Sequence, residues 1–528
     1  MTGPLTGTGA LARLALRLDR VRLTVWVLII AIMPAGTAAQ YQKLYPDEHT
    51  IQQVGGAVSN PSLVALNGPL FRASLGGLTA WKIGVTELVL VALMNLLMVV
   101  RHTRTEEETG RSELIGAGVV GRYAPLTAAL LEIGLADLAI VVLTALGLVG
   151  TGLPVAGAVA MGVAIGVTGL VFAAVAAAAA QLTESARSAT ALAAAVLGAS
   201  YLLRAVGDTG PTWLTWLSPV GWALRVRPFA GERWWALGLA VALAAVATAA
   251  AYTLAGRRDL GAGLLPQRPG PAQAAPGLRS TLALAWRLHR GILIGWVVGM
   301  ALVGAVLGGA AGGIGDAVGT NQQITDLMAR MGGHKGLVDA YLATAFGLTG
   351  LVAAVYTVQA TLRLRAEETG GRVEPLLATR VGRIPWAASH LVFAFAGTAV
   401  LLAVAGVGGG LAYGIQSHDV GGQVSRLLAA ALVQLPAAWV LAGVGVALFG
   451  LAPRLAALAW AALVACLLLL ELGALLKLDQ WLVDVSPFAH VPKLPGSAFT
   501  ATPLLWLAAV AATLTAAGLV GLRRRDVG

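Results

Sequence analysis

Apolar stretches long enough to cross a lipid bilayer recur along the whole sequence and constrain its fold more than any other feature. A transmembrane helix needs about 20 consecutive, mostly apolar residues, and the segments 155–180 and 234–254 are two of about twelve such stretches. Charged residues make up 12% of the chain and apolar residues 57%, a composition far from that of a water-soluble domain. The sequence therefore predicts an all-α polytopic membrane protein with about twelve transmembrane helices.

Several motifs occur twice, at nearly constant separation, and divide the twelve spans into two sets of six. The matched segments are 17–20 with 287–290, 107–110 with 367–370, 120–122 with 381–383, 218–219 with 486–487, and 257–259 with 524–526. Because each copy carries an even number of spans, the two copies keep the same orientation in the membrane. We expect two tandem, parallel six-helix repeats, at 1–256 and 281–528, joined by a Pro- and Gly-rich cytoplasmic linker at 257–280.

The distribution of basic residues predicts which ends of the spans face the cytoplasm. With the N-terminus inside, 24 of the 36 lysines and arginines fall on inner segments, so the positive-inside rule places both termini in the cytoplasm. The basic stretch 11–23 before the first span has the pattern of an interfacial helix. One cluster on an outer segment departs from the rule, and it consists of Arg204, Arg225, Arg227 and Arg233.

Two loops, 101–122 and 363–383, repeat one spacing of acidic and basic residues. In each loop the charges are followed by apolar residues, which are Leu114, Ile115, Val119 and Val120 in the first copy and Leu376, Leu377 and Val381 in the second. This pattern predicts an amphipathic helix at the cytoplasmic surface. A merely solvated loop has no need of the same spacing twice, so repetition favours a specific role.

Four carboxylates lie within predicted spans or near their ends, at Glu87, Glu132, Asp137 and Glu471. A charged side chain inside a membrane is costly and is usually paired or functional. Glu132 and Asp137 are possible pathway carboxylates, as a polar lining or a proton relay, or they pack against partners from other helices. Their spacing on one helix turns them away from each other, so they are not expected to form a pair.

Several kinds of site are absent from the sequence. None of the five lysines follows a glycine, so there is no P-loop for ATP. The seven histidines show no close ligand spacing and Cys466 is the single cysteine, which argues against a metal site. No Gly-x-Ser-x-Gly elbow is present. We expect no catalytic, cofactor-binding or metal-binding residues on this chain, and no enzyme activity.

The first loop, Glu106 to Leu114, and its second copy, Glu367 to Glu374, resemble the signature loop of actinobacterial permeases described as polyketide antibiotic exporters, a branch of the ATP-binding-cassette transporters. The segments 217–222 and 227–235 are similar to another stretch of that family. The resemblance covers the whole chain in length and order. The second copy departs from the first by an inserted Gly371, by Pro375 and by the sequence 486–490 in place of the tryptophan-ending motif.

The resemblance implies a permease of the bacterial plasma membrane that exports amphipathic drugs or antibiotics through both fused halves. Two copies of a separate cytoplasmic ATPase would supply ATP and Mg²⁺, and membrane lipid but no nucleic acid would be a partner. The two loops would couple the ATPase to the pathway through Glu106, Glu107, Glu108, Gly110, Arg111, Glu113, Arg122, Glu367, Glu368, Gly370, Arg372, Glu374 and Arg383. The alternatives are a secondary transporter driven by an ion gradient, with Glu132 or Asp137 as proton sites, and a membrane scaffold without transport.

Overall fold

The structure is a computed structural model that describes residues 3–57, 61–259, 261–264, 272–318, 333–472 and 479–525. These residues form helices and connecting segments, with no β-strand among them. The chain divides into two compact units, Met1–Gly270 and Pro271–Gly528, and this division lies inside the predicted linker. The side chain of Glu471 lies outside the described part.

Unit 1 contains six long apolar helices and several short ones between them. Its α-helices, numbered α1 to α12, are Thr8–Leu18, Arg20–Leu44, Glu48–Ala57, Pro61–Asn67, Leu75–Val100, Glu106–Glu108, Arg111–Gly116, Ala124–Gly150, Val155–Leu182, Ala186–Thr209, Pro219–Leu224 and Trp235–Ala255. A π-helical turn, Arg101–Thr105, joins α5 to α6, and a 3-10 helix, Thr212–Leu217, precedes α11. The long helices α5 and α9 are the most deeply buried, and the other long helices surround them.

The described part of unit 2 is likewise a series of long apolar helices with short helices between them. Its α-helices, numbered α13 to α21, are Thr281–Val318, Gly333–Thr369, Glu374–Leu377, Arg383–Gln416, Val420–Leu432, Leu435–Leu451, Leu458–Leu472, Gln480–Val483 and Ala501–Arg524. In the described part of the chain, eleven helices are long and apolar enough to cross a membrane. The twelfth predicted span, 455–475, begins in the shorter apolar helix α19 and runs into residues outside the described ranges. The predicted all-α polytopic membrane fold is confirmed.

Glycines set the closest helix contacts in unit 2. A Cβ atom added at Gly304 of α13 would lie 2.1 Å from the carbonyl oxygen of Ala405 in α16, and one added at Gly308 would lie 2.1 Å from that of Gly409. Small residues four positions apart let two backbones touch, which is a main source of helix association in membranes. Gly299, which precedes Gly304 on the same helix, has open space where its Cβ would be.

We expect Gly308→Ala to destabilise unit 2, because the new methyl group must push α13 away from α16. Overpacking of this kind costs about 1–3 kcal/mol, which corresponds to a melting temperature lowered by roughly 3–10 °C. Thermal unfolding of the purified protein in mild detergent measures this change in melting temperature. The matched control Gly299→Ala should melt at the wild-type temperature or slightly above, and equal losses in both variants would contradict the packing assignment.

Candidate functional site: a glutamate–arginine clamp in each unit

Glu107 stands at the start of the first charged loop and binds two arginines. Its Oε2 is 2.7 Å from Nη1 of Arg104, and Arg258 contacts both carboxylate oxygens, at 2.5 and 2.8 Å. Arg258 follows the last helix of unit 1, α12, so the ion pair ties the end of α5 to the end of α12. Fork-shaped contacts of this kind are among the strongest hydrogen bonds in proteins. We call these three residues the unit 1 clamp.

The guanidinium of Arg104 is fully buried and reaches further into the unit. Its Nε donates to the carbonyl oxygen of Ala180 at 3.1 Å, and its Nη2 donates to the carbonyl oxygens of Thr183 and Ala262. These contacts add the end of α9 and the segment 261–264 to the clamp. A guanidinium taken out of water requires a charged partner and hydrogen bonds for its donors, and the unit 1 clamp supplies both.

The second loop contains a corresponding clamp in unit 2. Arg525, just after α21, donates to both oxygens of Glu368 at 2.7 and 2.9 Å, while Arg365 lies 3.6 Å from the same carboxylate. Arg525 also lies over the ring of Phe449, 4.8 Å from its centroid. Glu368 thus ties the end of α14 to the end of α21. We call Glu368, Arg365 and Arg525 the unit 2 clamp.

Two further contacts and one backbone conformation match between the two loops. Glu106 pairs with Arg111 at 3.4 Å and Glu367 pairs with Arg372 at 2.7 Å. Arg122 donates to the carbonyl oxygen of Arg258 at 2.8 Å, as Arg383 does to that of Arg525 at 2.5 Å. Gly110 and Gly371 both have a positive φ, of 72° and 66°, where glycine is favoured.

These matched contacts correct the register inferred from the sequence. Identical letters align Glu107 with Glu367 and require an inserted Gly371, whereas the contacts align Glu107 with Glu368 and Gly110 with Gly371. The insertion is therefore wrong, and the loops correspond without a gap. Glu108 takes the position of Thr369, and it accepts a hydrogen bond of 2.6 Å from the backbone N–H of Ala186 at the start of α10.

The amphipathic helices predicted in the loops are short. They comprise Arg111–Gly116 in the first loop and Glu374–Leu377 in the second. Leu114 and Val119 are exposed, at 79% and 71% of their surface, whereas Leu376 and Leu377 are partly buried against the core of unit 2. Of the remaining predicted coupling residues, Glu113, Gly370 and Glu374 are exposed. The hydrogen bond and the charge of Glu367 raise the pKa of Arg372.

The two possible pathway carboxylates of α8 do not contact each other and lie against different side chains. Asp137 is buried and accepts a hydrogen bond of 2.8 Å from the amide of Asn95. Glu132 is fully buried, with Oε2 3.2 Å from Nε2 of His102. A Cβ at Gly169 would lie 2.5 Å from the Asn95 amide nitrogen, so this glycine provides the space for the pair.

Glu132 belongs to a cluster that the sequence analysis missed. Asp19, His102 and Glu132 come from three separate segments, and their ligand atoms lie within 4.8 Å of one another, close enough to surround a divalent cation. Arg22 and Arg101 contact Asp19 at 3.1 and 3.3 Å, and their charge opposes the binding of a cation. The spacing of residues along the sequence could not reveal a cluster whose members come from distant segments.

We expect Glu107→Gln to lower the melting temperature of the purified protein by about 5–10 °C. The substitution leaves the buried Arg104 and Arg258 without a counter-charge, and removing one partner of a buried pair costs about 3 kcal/mol. Glu113→Gln changes the same chemical group at an exposed position of the same loop and should have almost no effect. Equal melting temperatures for the two variants would show that the clamp does not stabilise unit 1.

Comparison with known proteins identifies the family. Residues 278–523 match the family described as multidrug efflux system permease Rv1217c, C-terminal domain. Over 525 residues, which are 99% of this chain and 95% of the relative, the chain is 50% identical to the multidrug efflux system permease protein Rv1217c of Mycobacterium tuberculosis (strain ATCC 25618 / H37Rv). The similarity and the eleven apolar helices indicate a transporter rather than an enzyme, and a multi-pass protein of the plasma membrane. The chain belongs to the family of multidrug efflux permeases.

Proposed function

We propose that this chain is the permease of an ATP-binding-cassette exporter, through which a separate ATPase drives the efflux of amphipathic drugs. The observation that carries the proposal is the occurrence of one clamp in each unit, at the start of the same charged loop. Because each unit has its own clamp and charged loop, a partner could bind once to each unit. We therefore infer two ATPase copies. ATP and Mg²⁺ would be held by that partner, because this chain has no P-loop.

The clamp gives each loop a mechanical connection to its unit. In unit 1, Glu107 joins the loop to the ends of α5 and α12, and Arg104 adds the end of α9. A force on the loop would therefore move three long helices together rather than unwind the loop alone. A partner that binds the loop differently in its ATP-bound and ATP-free states would shift the population of permease conformations.

The first loop also has surface features suited to docking. Leu114 and Val119 are exposed apolar side chains beside charged residues, and such residues become favourable contacts when a partner excludes water from them. Beneath α7 lies a cavity of about 410 Å³, whose lining includes Ile115, Arg122 and Arg258. The short helix therefore has space behind it into which it can shift on docking.

We expect Leu114→Asp to abolish docking at the first loop while leaving the permease folded. A carboxylate pressed into an apolar contact without a partner is strongly unfavourable, so the ATPase copy at the first loop should be lost and the co-purified ATPase should fall to about half. The permease is purified through an affinity tag from native membranes in gentle detergent, and ATP hydrolysis is measured in the eluate. The mass of the wild-type complex should correspond to two ATPase subunits per chain.

The matched control is Leu455→Asp, which places the same charge at a leucine that is 51% exposed in the 3-10 helix Pro453–Leu455, outside both loops. It should retain wild-type ATPase co-purification. If no ATPase activity co-purifies with the wild-type permease, the exporter proposal is wrong. If Leu114→Asp retains full hydrolysis, the docking assignment is wrong.

A second candidate is an ion-gradient-driven transporter, and the buried carboxylates favour it. Asp137 and Glu132 lie inside the helix bundle of unit 1, and Oδ1 of Asp137 receives no hydrogen bond from any described residue. Buried carboxylates of this kind can carry protons in membrane transporters. The contact between Asp137 and the Asn95 amide is equally consistent with a structural role.

We expect Asp137→Asn to keep drug transport within about threefold of the wild-type rate, because an amide preserves the shape and the contact with Asn95 while preventing proton binding. Transport is measured in inverted membrane vesicles supplied with ATP, with and without an uncoupler. Under the ATP-driven proposal the uncoupler has little effect on either protein. Collapse of transport with the uncoupler and in Asp137→Asn would establish the ion-gradient mechanism instead.

A further inference from the structure

Four arginines gather at the end of unit 1 opposite its clamp. The helix α10 starts beside Glu108 and ends at Thr209, so the segment after it lies at the far end of the unit. Arg204 and Arg225 share one carboxylate, Asp208, at 3.7 and 2.8 Å. Arg227 and Arg233 form no ion pair with a described residue. The one carboxylate of this segment, Glu232, instead accepts a hydrogen bond of 3.2 Å from the backbone N–H of Phe229.

The loop that carries Arg227 and Arg233, residues 225–233, is held in place by Phe229. The Phe229 ring occupies a slot formed by two glycines, because a Cβ at Gly157 would lie 2.1 Å from the ring and one at Gly76 would lie 2.6 Å from it. The loop closes through a hydrogen bond of 2.7 Å from the backbone N–H of Arg233 to the carbonyl oxygen of Val226. The backbone that carries Arg227 and Arg233 is thus fixed by the fold itself.

The backbone of this loop is also strained. Arg227 and Phe229 have φ angles of 56° and 62°, a region that non-glycine residues avoid at a cost of about 1 kcal/mol or more each. Strain of this kind persists where the surroundings enforce it, and it concentrates at binding sites. Here it turns the Arg227 guanidinium onto the ring of Phe71, 4.6 Å from the centroid, beside Arg225 at 5.5 Å.

The guanidinium of Arg227 is partly buried and forms no ion pair with a described residue. Its Nε is buried and donates no hydrogen bond to a described residue. Burial lowers the pKa of Arg227, and the neighbouring Arg233 and Arg225 lower it further. An anion at this cluster would relieve the mutual repulsion of the three guanidiniums and supply hydrogen-bond acceptors.

Tryptophans surround the loop and indicate the depth at which it lies in the membrane. Trp213, Trp234 and Trp235 are exposed at 62%, 46% and 59% of their surface, and Trp216 stacks on Trp235 with ring centroids 5.3 Å apart. Exposed tryptophans concentrate at the level of lipid headgroups. We therefore expect the arginines next to them to lie at the level of the phosphates.

We propose that the loop 225–233 of unit 1 binds the phosphate of an anionic phospholipid, through Arg227 and Arg233. Arginine forks match the geometry of phosphate oxygens, and headgroup depth supplies phosphates at high local concentration. At the separation of the Ser-Pro pairs, the loop corresponds to residues 493–501 of unit 2, which contain Lys493 but no arginine, so the arginine pair is not repeated there. The permease thus takes this lipid on one unit only, independently of how transport is driven.

The test uses the purified full-length protein and short-chain lipids in detergent. Phosphatidylglycerol should raise its melting temperature more than phosphatidylcholine at equal concentration, and native mass spectrometry should retain phosphatidylglycerol on the protein. Arg227→Gln and Arg233→Gln should each weaken phosphatidylglycerol binding by about fivefold, as expected for one arginine near an anionic headgroup. Arg233 is exposed, so its variant carries the test even if Arg227→Gln folds poorly.

Arg426→Gln is the matched control, because Arg426 lies in unit 2 and is already paired with Asp339 at 2.9 Å. Its phosphatidylglycerol binding should equal that of the wild type. Equal stabilisation by the two lipids, or full binding in both loop variants, would overturn the proposal. Inorganic phosphate, tested against chloride at matched ionic strength, should have no effect, and full stabilisation by phosphate would overturn the assignment to a lipid.

Discussion

The buried Arg104 guanidinium is the constraint on which the end of unit 1 depends. A charge removed from water must be neutralised and its donors satisfied, and Arg104 meets this requirement with Glu107 and with carbonyl groups at the end of α9 and in the segment 261–264. Because these acceptors belong to separate segments, one side chain fixes their relative positions. The loop that starts at Glu106 is consequently part of the helix bundle rather than an appendage to it.

The two clamps contain corresponding residues but differ in the strength of their ion pairs. Arg104 contacts Glu107 at 2.7 Å and is fully buried, whereas Arg365 lies 3.6 Å from Glu368 and is partly exposed. A longer contact near solvent contributes little to stability. In unit 2 the ion pair between Arg525 and Glu368 therefore provides most of the attachment of the loop to α21. The two loops consequently differ in stiffness, although their charged residues correspond. Two copies of one ATPase would meet unequal surfaces, with exposed Leu114 in one unit and partly buried leucines in the other.

The sequence was sufficient for the class of fold, since hydropathy reports burial in lipid directly, and for locating the charged loops, since a repeated spacing is visible in one chain. The sequence was not sufficient to predict which residues form ion pairs within these loops. Glu107 and Arg258 are 151 residues apart, and no local pattern indicates which of three consecutive glutamates faces an arginine from another helix. Alignment of identical residues gave the wrong register between the two loops for this reason. The short helices have a local cause, because Pro375 and the glycines after Ile115 oppose longer ones.

Membrane proteins restrict buried charge, so the placement of uncompensated charge carries information. At the clamp end of unit 1 the buried arginines have partners, and the charges act internally to join helices. At the opposite end, Asp208 neutralises part of the positive charge of Arg204 and Arg225, while Arg227 and Arg233 form no ion pair with a described residue. The nearby Glu232 accepts a hydrogen bond from the loop's own backbone. A rigid loop that keeps such charges together against their repulsion, with its backbone strained at Arg227 and Phe229, is more readily explained by an external anion than by packing alone. Packing fixes Phe229, but it gives no reason for arginines on either side of it.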